Sequence, residues 1–401
     1  MENFAIQELN AYTAPVITES VTDDFVAYGA DNNYFQFLID RYNGSTTNNA
    51  ILTGLVRNIY GKGLESVDKE ENNEQYLAML RIIAPSALIR FIQDRMILGM
   101  GALQVVKKAG KVTKVSHFPM ETLRAGKADK KGNVKTYLYH PNWQDYKKSD
   151  TLQKIPTFEY SKNTGTSVYI LKTYTPGNFY YSPVDYQGAL PYALLEEEIS
   201  NYLLNDTLNG FSGTKIVNFN NGEPDPEKRR EIVSKTMKQL TGTTGQKVLV
   251  SFNKDKESAV SVDDISLNDA PAHYQYLSDE CFRKLIVGHR ITSPTLLGVR
   301  DGNSGFGSNA DEIKNATLLL DSYVIDSYRE EILQVLQEIL GVNGIVLDLY
   351  FISLTPLEFI DTEKIQEIGD EDDMEKETGI EQEEELSMIA KLTSFFKKTD
   401  I

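Results

Sequence analysis

One cysteine, Cys281, and four scattered histidines, His117, His140, His273 and His289, are the only thiol and imidazole groups among the 401 residues of this chain. A lone thiol cannot close an internal disulfide, and no histidine stands at ligand spacing from it, so neither a disulfide framework nor a zinc site organises the fold. No apolar run approaches the ~20 residues that a bilayer-spanning helix needs. The start MENFAIQELNAYTAP does not place a basic stretch before an apolar one, which predicts a chain made and kept in the cytoplasm. Positive charge is also in deficit, with 41 Lys and Arg against 58 Asp and Glu and a net charge of −17, which argues against tight wrapping of nucleic acid by the whole surface. What remains is ordinary globular material, 41% apolar, 25% charged and 10% aromatic, in a chain long enough for two or more packed units.

The acidity is not evenly spread. Leu357 to Ile401 carries 15 acids and 5 lysines, a net −10. Its centre, EIGDEDDMEKETGIEQEEEL, is too repulsive to bury itself, and LSMIAKLTSFFKK after it has the pattern of a short amphipathic docking helix. By contrast, Lys107 to Lys148 holds 11 basic residues and three acids, Glu121, Asp129 and Asp145, within alternating segments ALQVVKK, KVTKVSHF and VKTYLYH. That is a basic patch rich in strands.

Helical spacing marks NYFQFLIDRY, NNAILTGLVRNIYG and SALIRFIQDRMILGM, with stops at Gly61 and at Gly99 to Gly101. Strands and turns follow to about Tyr186, and a boundary is expected near Gly188. Leu190 to Leu208 then reads as one helix with Pro191 in its first turn. A small α+β module spans Thr214 to Leu267: strand TKIVNF, turn NNGEPDP, helix EKRREIVSKTMKQL, then strands KVLVSF and AVSVDDISL joined by NKDKES. A second helix, from about Ala270 to His289, returns the chain, so two helices bracket the module. The Gly-, Ser- and Asn-rich stretch RITSPTLLGVRDGNSGFGSN comes next and is expected to be mobile. Asn309 with Glu312 opens a long helix to Leu340, its apolar positions at Ile313, Ala316, Leu320, Val324, Tyr328, Ile332, Val335 and Ile339. Its 31 residues would span about 46 Å.

None of the chemical motifs is complete. The loop 298–309 has glycines that let backbone amides approach a phosphate, yet it lacks the Lys and Ser or Thr of a Walker motif. Cys281 sits among apolar helix residues and reads as packing, and Ser304 has no base and orienting partner. His289, near a helix end, suits a dipole contact or a C-terminal hydrogen bond. Glu196, Glu197 and Glu198 point about 100° apart on a helix and cannot converge on a metal, so they read as a solvated or pore-facing acidic stripe. Lys228, Arg229, Arg230, Lys235 and Lys238 lie on one helix, either a solvated face or a phosphate contact. No catalytic base, metal site or cofactor site is assigned.

The order of these parts resembles the portal proteins of tailed bacteriophages, over most of the chain. The most specific stretch is FRKLIVGHRITSPTLLGVRDGNSGFGSNADEIKNATLLLDSYVIDSYREEILQVLQEIL, Phe282 to Leu340, in which Pro294, Leu296, Leu297, Gly298, Asn309 and Glu312 match the family's turn, loop and long helix. Ser293 and Pro294 stand where many members have two prolines, and the long helix lacks the usual mid-helix proline.

The resemblance implies an α+β portal fold without catalysis, cofactor or metal. It places a wing in 1–188, stem helices in 189–213 and 268–290, a clip in 214–267, a tunnel-loop region in 291–309, a long helix and strand in 310–356, and a reduced crown in the acidic 357–401. It implies a ring of about a dozen copies at the capsid vertex of a virion, assembled in host cytoplasm, through which double-stranded DNA is packaged and ejected. Terminase, a head–tail connector, and the major capsid or scaffold protein are its implied partners, and no membrane is involved; separately, the charge of Lys107 to Lys148, opposite in sign to the tail, makes that segment a candidate capsid or scaffold contact. Gly302, Asn303, Ser304, Gly305, Phe306 and Gly307 would form the channel constriction, with Phe306 either brushing the DNA backbone or anchoring the loop. Glu196 to Glu198 would lie on the stem, and Lys228, Arg229, Arg230, Lys235 and Lys238 on the clip surface. Two other readings stand beside it: a nucleotide-dependent enzyme using loop 298–309, and a scaffold that binds a polyanion through the basic strands.

Overall fold

The computed structural model describes residues 15, 17–19, 23–210, 215–219, 224–240, 248–252, 270–297 and 309–354. Two short strands, β1 (Ile17–Glu19) and β2 (Val26–Tyr28), pair antiparallel and lead into helices α1 (Tyr34–Gly44) and α2 (Thr46–Tyr60). The side chain of Ser45 accepts from Asn48 N–H and starts α2 as an N-cap. Gly61 ends it at φ 58°, where the chain passes so close to Ile352 O that a β-carbon would stand 1.9 Å from it. Leu38, Ile51, Leu52 and Ile59 on the inward stripes of these helices are fully buried, each worth about 1.5–3 kcal/mol relative to exposure.

Strand β3 (Leu64–Ser66) and helices α3 (Asn73–Ile82) and α4 (Pro85–Leu98) follow, the last opened by Pro85 at its first position. The basic segment and the stretch after it form strands β4 (Met100–Lys108), β5 (Lys111–Phe118), β6 (Leu123–Ala125), β7 (Thr136–Tyr139), β8 (Gln153–Pro156) and β9 (Gly165–Lys172), of which β4, β5 and β7 fall on the alternating stretches. They make two antiparallel three-stranded sheets, in the orders β5–β4–β9 and β6–β7–β8. Arg124 locks the second sheet to the start of α1: it donates to Asn32 Oδ1 at 2.6 Å and Asn32 O at 2.8 Å, between the Phe35 and Trp143 rings. Burial pulls its pKa down to about 10.

Helix α5 (Leu190–Gly210), strand β10 (Lys215–Phe219), helix α6 (Pro226–Leu240), strand β11 (Val248–Phe252) and helix α7 (Ala270–Gly288) come next. β10 and β11 pair in parallel, so β10–α6–β11 is a βαβ crossover, with Phe219 stacked on Phe252. The expected segments NKDKES and AVSVDDISL lie outside the described residues. The expected long helix is a continuous run in three parts: α8 (Asn309–Leu320), a π-helical turn at Asp321–Ile325, and α9 (Asp326–Gly341). Strand β12 (Leu349–Phe351) then pairs antiparallel with β3.

The architecture is mixed α+β with open sheets. One core cluster takes in α1, α2, α4, β4 and α9 and continues into Ala189, Leu190 and Ala193 of the α5 start and Leu285 and Ile286 of the α7 end. The chain divides into Met1–Ser353 and Leu354–Ile401; the acidic 357–401 lies outside the described residues. No helix among the described residues is long and apolar enough to cross a membrane.

Candidate functional site

α5 and α7 run antiparallel. Ala189 abuts Gly288, where a β-carbon would stand 2.4 Å from that of Ala189, and Tyr202 stacks on Tyr274 with ring centroids 4.5 Å apart. The end near Ala189 is fastened to the α1–α2 junction by polar groups. The Glu196 carboxylate accepts from Ser45 Oγ, from Thr47 Oγ1 at 2.7 Å and from Thr47 N–H at 3.2 Å. It therefore occupies the N-terminus of α2, where orphan amides and the helix dipole favour an anion. Glu197 pairs with the nearly buried Arg41 at 3.0 Å. Successive helix positions point about 100° apart, so Glu196 and Glu197 turn toward this junction and Glu198 is the exposed one of the three. The three glutamates thus do not form one solvated stripe.

α7 is fastened to the same turn. His289 is buried, stacks on Tyr186 with centroids 4.4 Å apart, and its Nε2 lies 2.7 Å from Asn48 Oδ1. Its partner is thus a side chain of another helix. Burial alone pushes the imidazole down to about 3, so it is neutral, and Nε2 carries the hydrogen that Asn48 accepts. The Asn48 amide in turn donates to Arg41 O at 3.2 Å. Cys281 packs within α7, its thiol pushed up to about 11 by burial and then by the Glu196 and Glu280 carboxylates, which leaves it unreactive.

α9 is held by a buried guanidinium. Arg95 of α4 reaches Asp185 and Glu331, each at 3.2 Å, and Thr173 Oγ1 at 2.7 Å, while Tyr328 OH donates to Asp185 at 2.7 Å. Burial opposes the charge on Arg95, and the two carboxylates outweigh it and raise its pKa. The space left between Asp185, Tyr186, His289, Arg290 and Tyr328 is about 10 Å³, room for no more than one water.

On α6, Lys228, Arg229, Arg230 and Lys235 are exposed. Arg229 lies over the Phe252 ring at 5.3 Å, and Lys235 pairs with Glu231 at 3.0 Å. Lys238 belongs to the same helix. Gly302, Asn303, Ser304, Gly305, Phe306 and Gly307 lie outside the described residues, between the short 3₁₀ turn Pro294–Leu297 and α8. No group of three or more His, Cys, Asp or Glu side chains is arranged to hold a metal ion among the described residues.

The residues that sequence reasoning missed are Arg41, Ser45, Thr47 and Asn48. Only Ser45 carries a local signal, a small hydroxyl just before a helical stripe; the partners of Glu196 there stand about 150 positions away in the chain.

No family model matches the chain, and no curated protein matches it. Its fold is similar to solved structures. One is a chain from the neck of an empty GTA particle computed with C6 symmetry, at 11% identity and a TM-score of 0.53, covering 87% of this chain and 90% of that one. Another is a chain from the virion of a native gene transfer agent particle, at 11% identity and a TM-score of 0.51, covering 92% of each chain. The likeness is one of fold, and it runs over nearly the full length of both partners.

Proposed function

We propose that this chain is a structural subunit of the head–tail junction of a phage-like particle, and more specifically a portal subunit that forms a ring around a channel for double-stranded DNA. The observation that carries the ring is the helix pair. Tyr202, Leu203 and Leu204 are all exposed, and three consecutive positions cover most of the circumference of α5. Tyr276 and Val287 are exposed on α7 as well. A helix apolar on more than one side needs cover on more than one side, and α7 supplies one. Copies of the same pair, side by side around an axis, supply the rest. The fold likeness to chains of a particle neck and a virion supports the same reading.

In this reading α5 and α7 are the stem and β10–α6–β11 the clip, whose exposed Lys228, Arg229 and Arg230 face terminase and later the connector. Gly302 to Gly307, outside the described residues, would be the channel constriction. A net charge of −17 per copy lets DNA pass without capture, because each phosphate neutralised would add salt-dependent affinity. The chain carries no catalysis, and the packaging ATPase is a separate protein. Electron microscopy of the purified full chain tests this: rings with an open centre are expected, and a chain that stays monomeric at every concentration and salt overturns it.

A further inference from the structure

The β5–β4–β9 sheet ends on β9, and that outer edge is paired over only part of its length. A parallel bridge joins Val168 to Thr157. Thr157 gives its own N–H to Lys135 O at 3.0 Å, so the backbone groups that meet at the bridge are those of Val168. Backbone direction alternates along a strand, so Ile170, two residues on, turns its N–H and C=O to the same side. No strand of the described residues pairs with it there. A groove of about 450 Å³ opens along this stretch, lined by Val134, Tyr137, Phe158, Tyr169, Ile170 and Lys172. Tyr169 and Ile170 are neighbours whose side chains leave opposite faces of the sheet, so the groove follows the edge of β9 rather than either face.

The charges of the groove are mixed, Glu159 and Glu338 against Lys172, and select no sign of partner. What it offers is a set of backbone groups beside aromatic and aliphatic side chains, which suits an extended, uncharged segment with apolar residues at alternate positions. The chain holds such a segment close by. β1, among the first described residues, is linked to the groove wall by three successive contacts: Tyr180 OH donates to Glu19, the Tyr180 ring meets that of Phe179 with centroids 4.8 Å apart, and Lys172 Nζ lies 5.4 Å over the Phe179 ring. Residues 1–14 precede this point. Within them NFAIQ, at 3–7, carries no charge and sets Phe4 and Ile6 two apart, the period of a strand with one apolar face. The stretch from 6 to 17 spans up to about 36 Å when extended, ample reach for a groove three contacts from β1.

We propose that residues 3–7 of this chain add as a strand to the free edge of β9 in its own groove, with Phe4 and Ile6 on the aromatic lining. The added strand supplies the backbone partners that Ile170 lacks. It also closes an edge that is otherwise a template for pairing with other chains. The contact needs neither a ring nor DNA, so it stands or falls apart from the portal reading.

Hydrogen exchange in the full chain, read by mass spectrometry on overlapping peptides, tests this. The Ile170 amide is expected to be protected in wild type and to exchange roughly tenfold faster or more in the double variant Phe4→Asp with Ile6→Asp. Amides of α4 should keep their wild-type rates, which separates loss of the added strand from loss of the fold. Equal exchange at Ile170 in the two proteins overturns the proposal. A disulfide then identifies the donor. Ile6→Cys with Val134→Cys, in the groove wall, is expected to close within one chain on mild oxidation, whereas Ile6→Cys with Leu77→Cys, at an exposed position of α3, is not. The native Cys281 is buried and does not compete. A link that joins two chains, or one that forms as readily at Leu77, overturns seating in the chain's own groove.

Discussion

The two ends of the α5–α7 pair are held by different physics. Near Ala189 the contacts are directional and partly or fully buried: Glu196 on the α2 N-terminus, Glu197 on Arg41, and neutral His289 on Asn48. Near Tyr202 the described residues show a stack of two aromatic rings among exposed apolar residues. Buried polar groups tolerate few arrangements, since each one left unmatched costs the full desolvation of that group. Exposed apolar surface specifies little by itself and gains most when something covers it. The first end is therefore determined by this chain alone, and the second is the one that the proposed ring would complete.

That contrast can be broken most forcefully at Asn48. Asn48→Ala leaves the imidazole N–H of His289 buried without its partner and takes one donor from Arg41 O, which keeps the 3.4 Å bond from Ser45 N–H, an expected loss of about 1–3 kcal/mol in chemical denaturation. A loss below that of an ordinary surface substitution would mean the clamp is ornamental. Next comes acidity. His289 is pushed down to about 3 in the folded chain, while in the unfolded chain it titrates near ~6.5. Between those values the unfolded state binds the extra proton, so stability falls as pH is lowered through that window, by at most ~1.4 kcal/mol per pH unit. His289→Gln, which keeps a donor toward Asn48, should remove that component of the slope; identical slopes in both proteins would show that the imidazole does not contribute.

At the other end the expected effects are smaller. Tyr274→Ala removes half of the stack and should cost the isolated chain about 1 kcal/mol. Leu204→Gln should change its stability by no more than ~0.5 kcal/mol and yet reduce ring formation, as seen in sedimentation. If Leu204→Gln instead destabilised the monomer as much as Asn48→Ala, the distinction between the two ends would disappear.

Much of the local structure could be read from residue spacing. The apolar stripes gave α1, α2 and α4, the alternation gave β4, β5 and β7, and the bracketing helices emerged within two residues of their expected limits. α3 was hidden because its leading KEENNEQ reads as a polar loop. The pairing of β3 with β12 joins residues nearly 300 positions apart and has no local signature. The π-turn did leave a trace. Ala316, Leu320, Val324, Tyr328 and Ile332 keep a spacing of four through successive steps, and all are buried. A helix of ~3.6 residues per turn drifts about 40° at each such step, so a wider turn at Asp321–Ile325 holds the stripe on one side. The clamp was half legible: Glu196 and His289 stood on predicted helices, but their partners are set by tertiary packing that periodicity does not encode.

Both members of the pair are tethered to the opening residues of one helix, Ser45, Thr47 and Asn48 of the α2 start, rather than to separate parts of the core. A displacement of that turn must carry them along together. They can tilt as a unit, but sliding one lengthwise past the other would tear a carboxylate or an imidazole from its anchor, so motion arriving there is passed on as rotation.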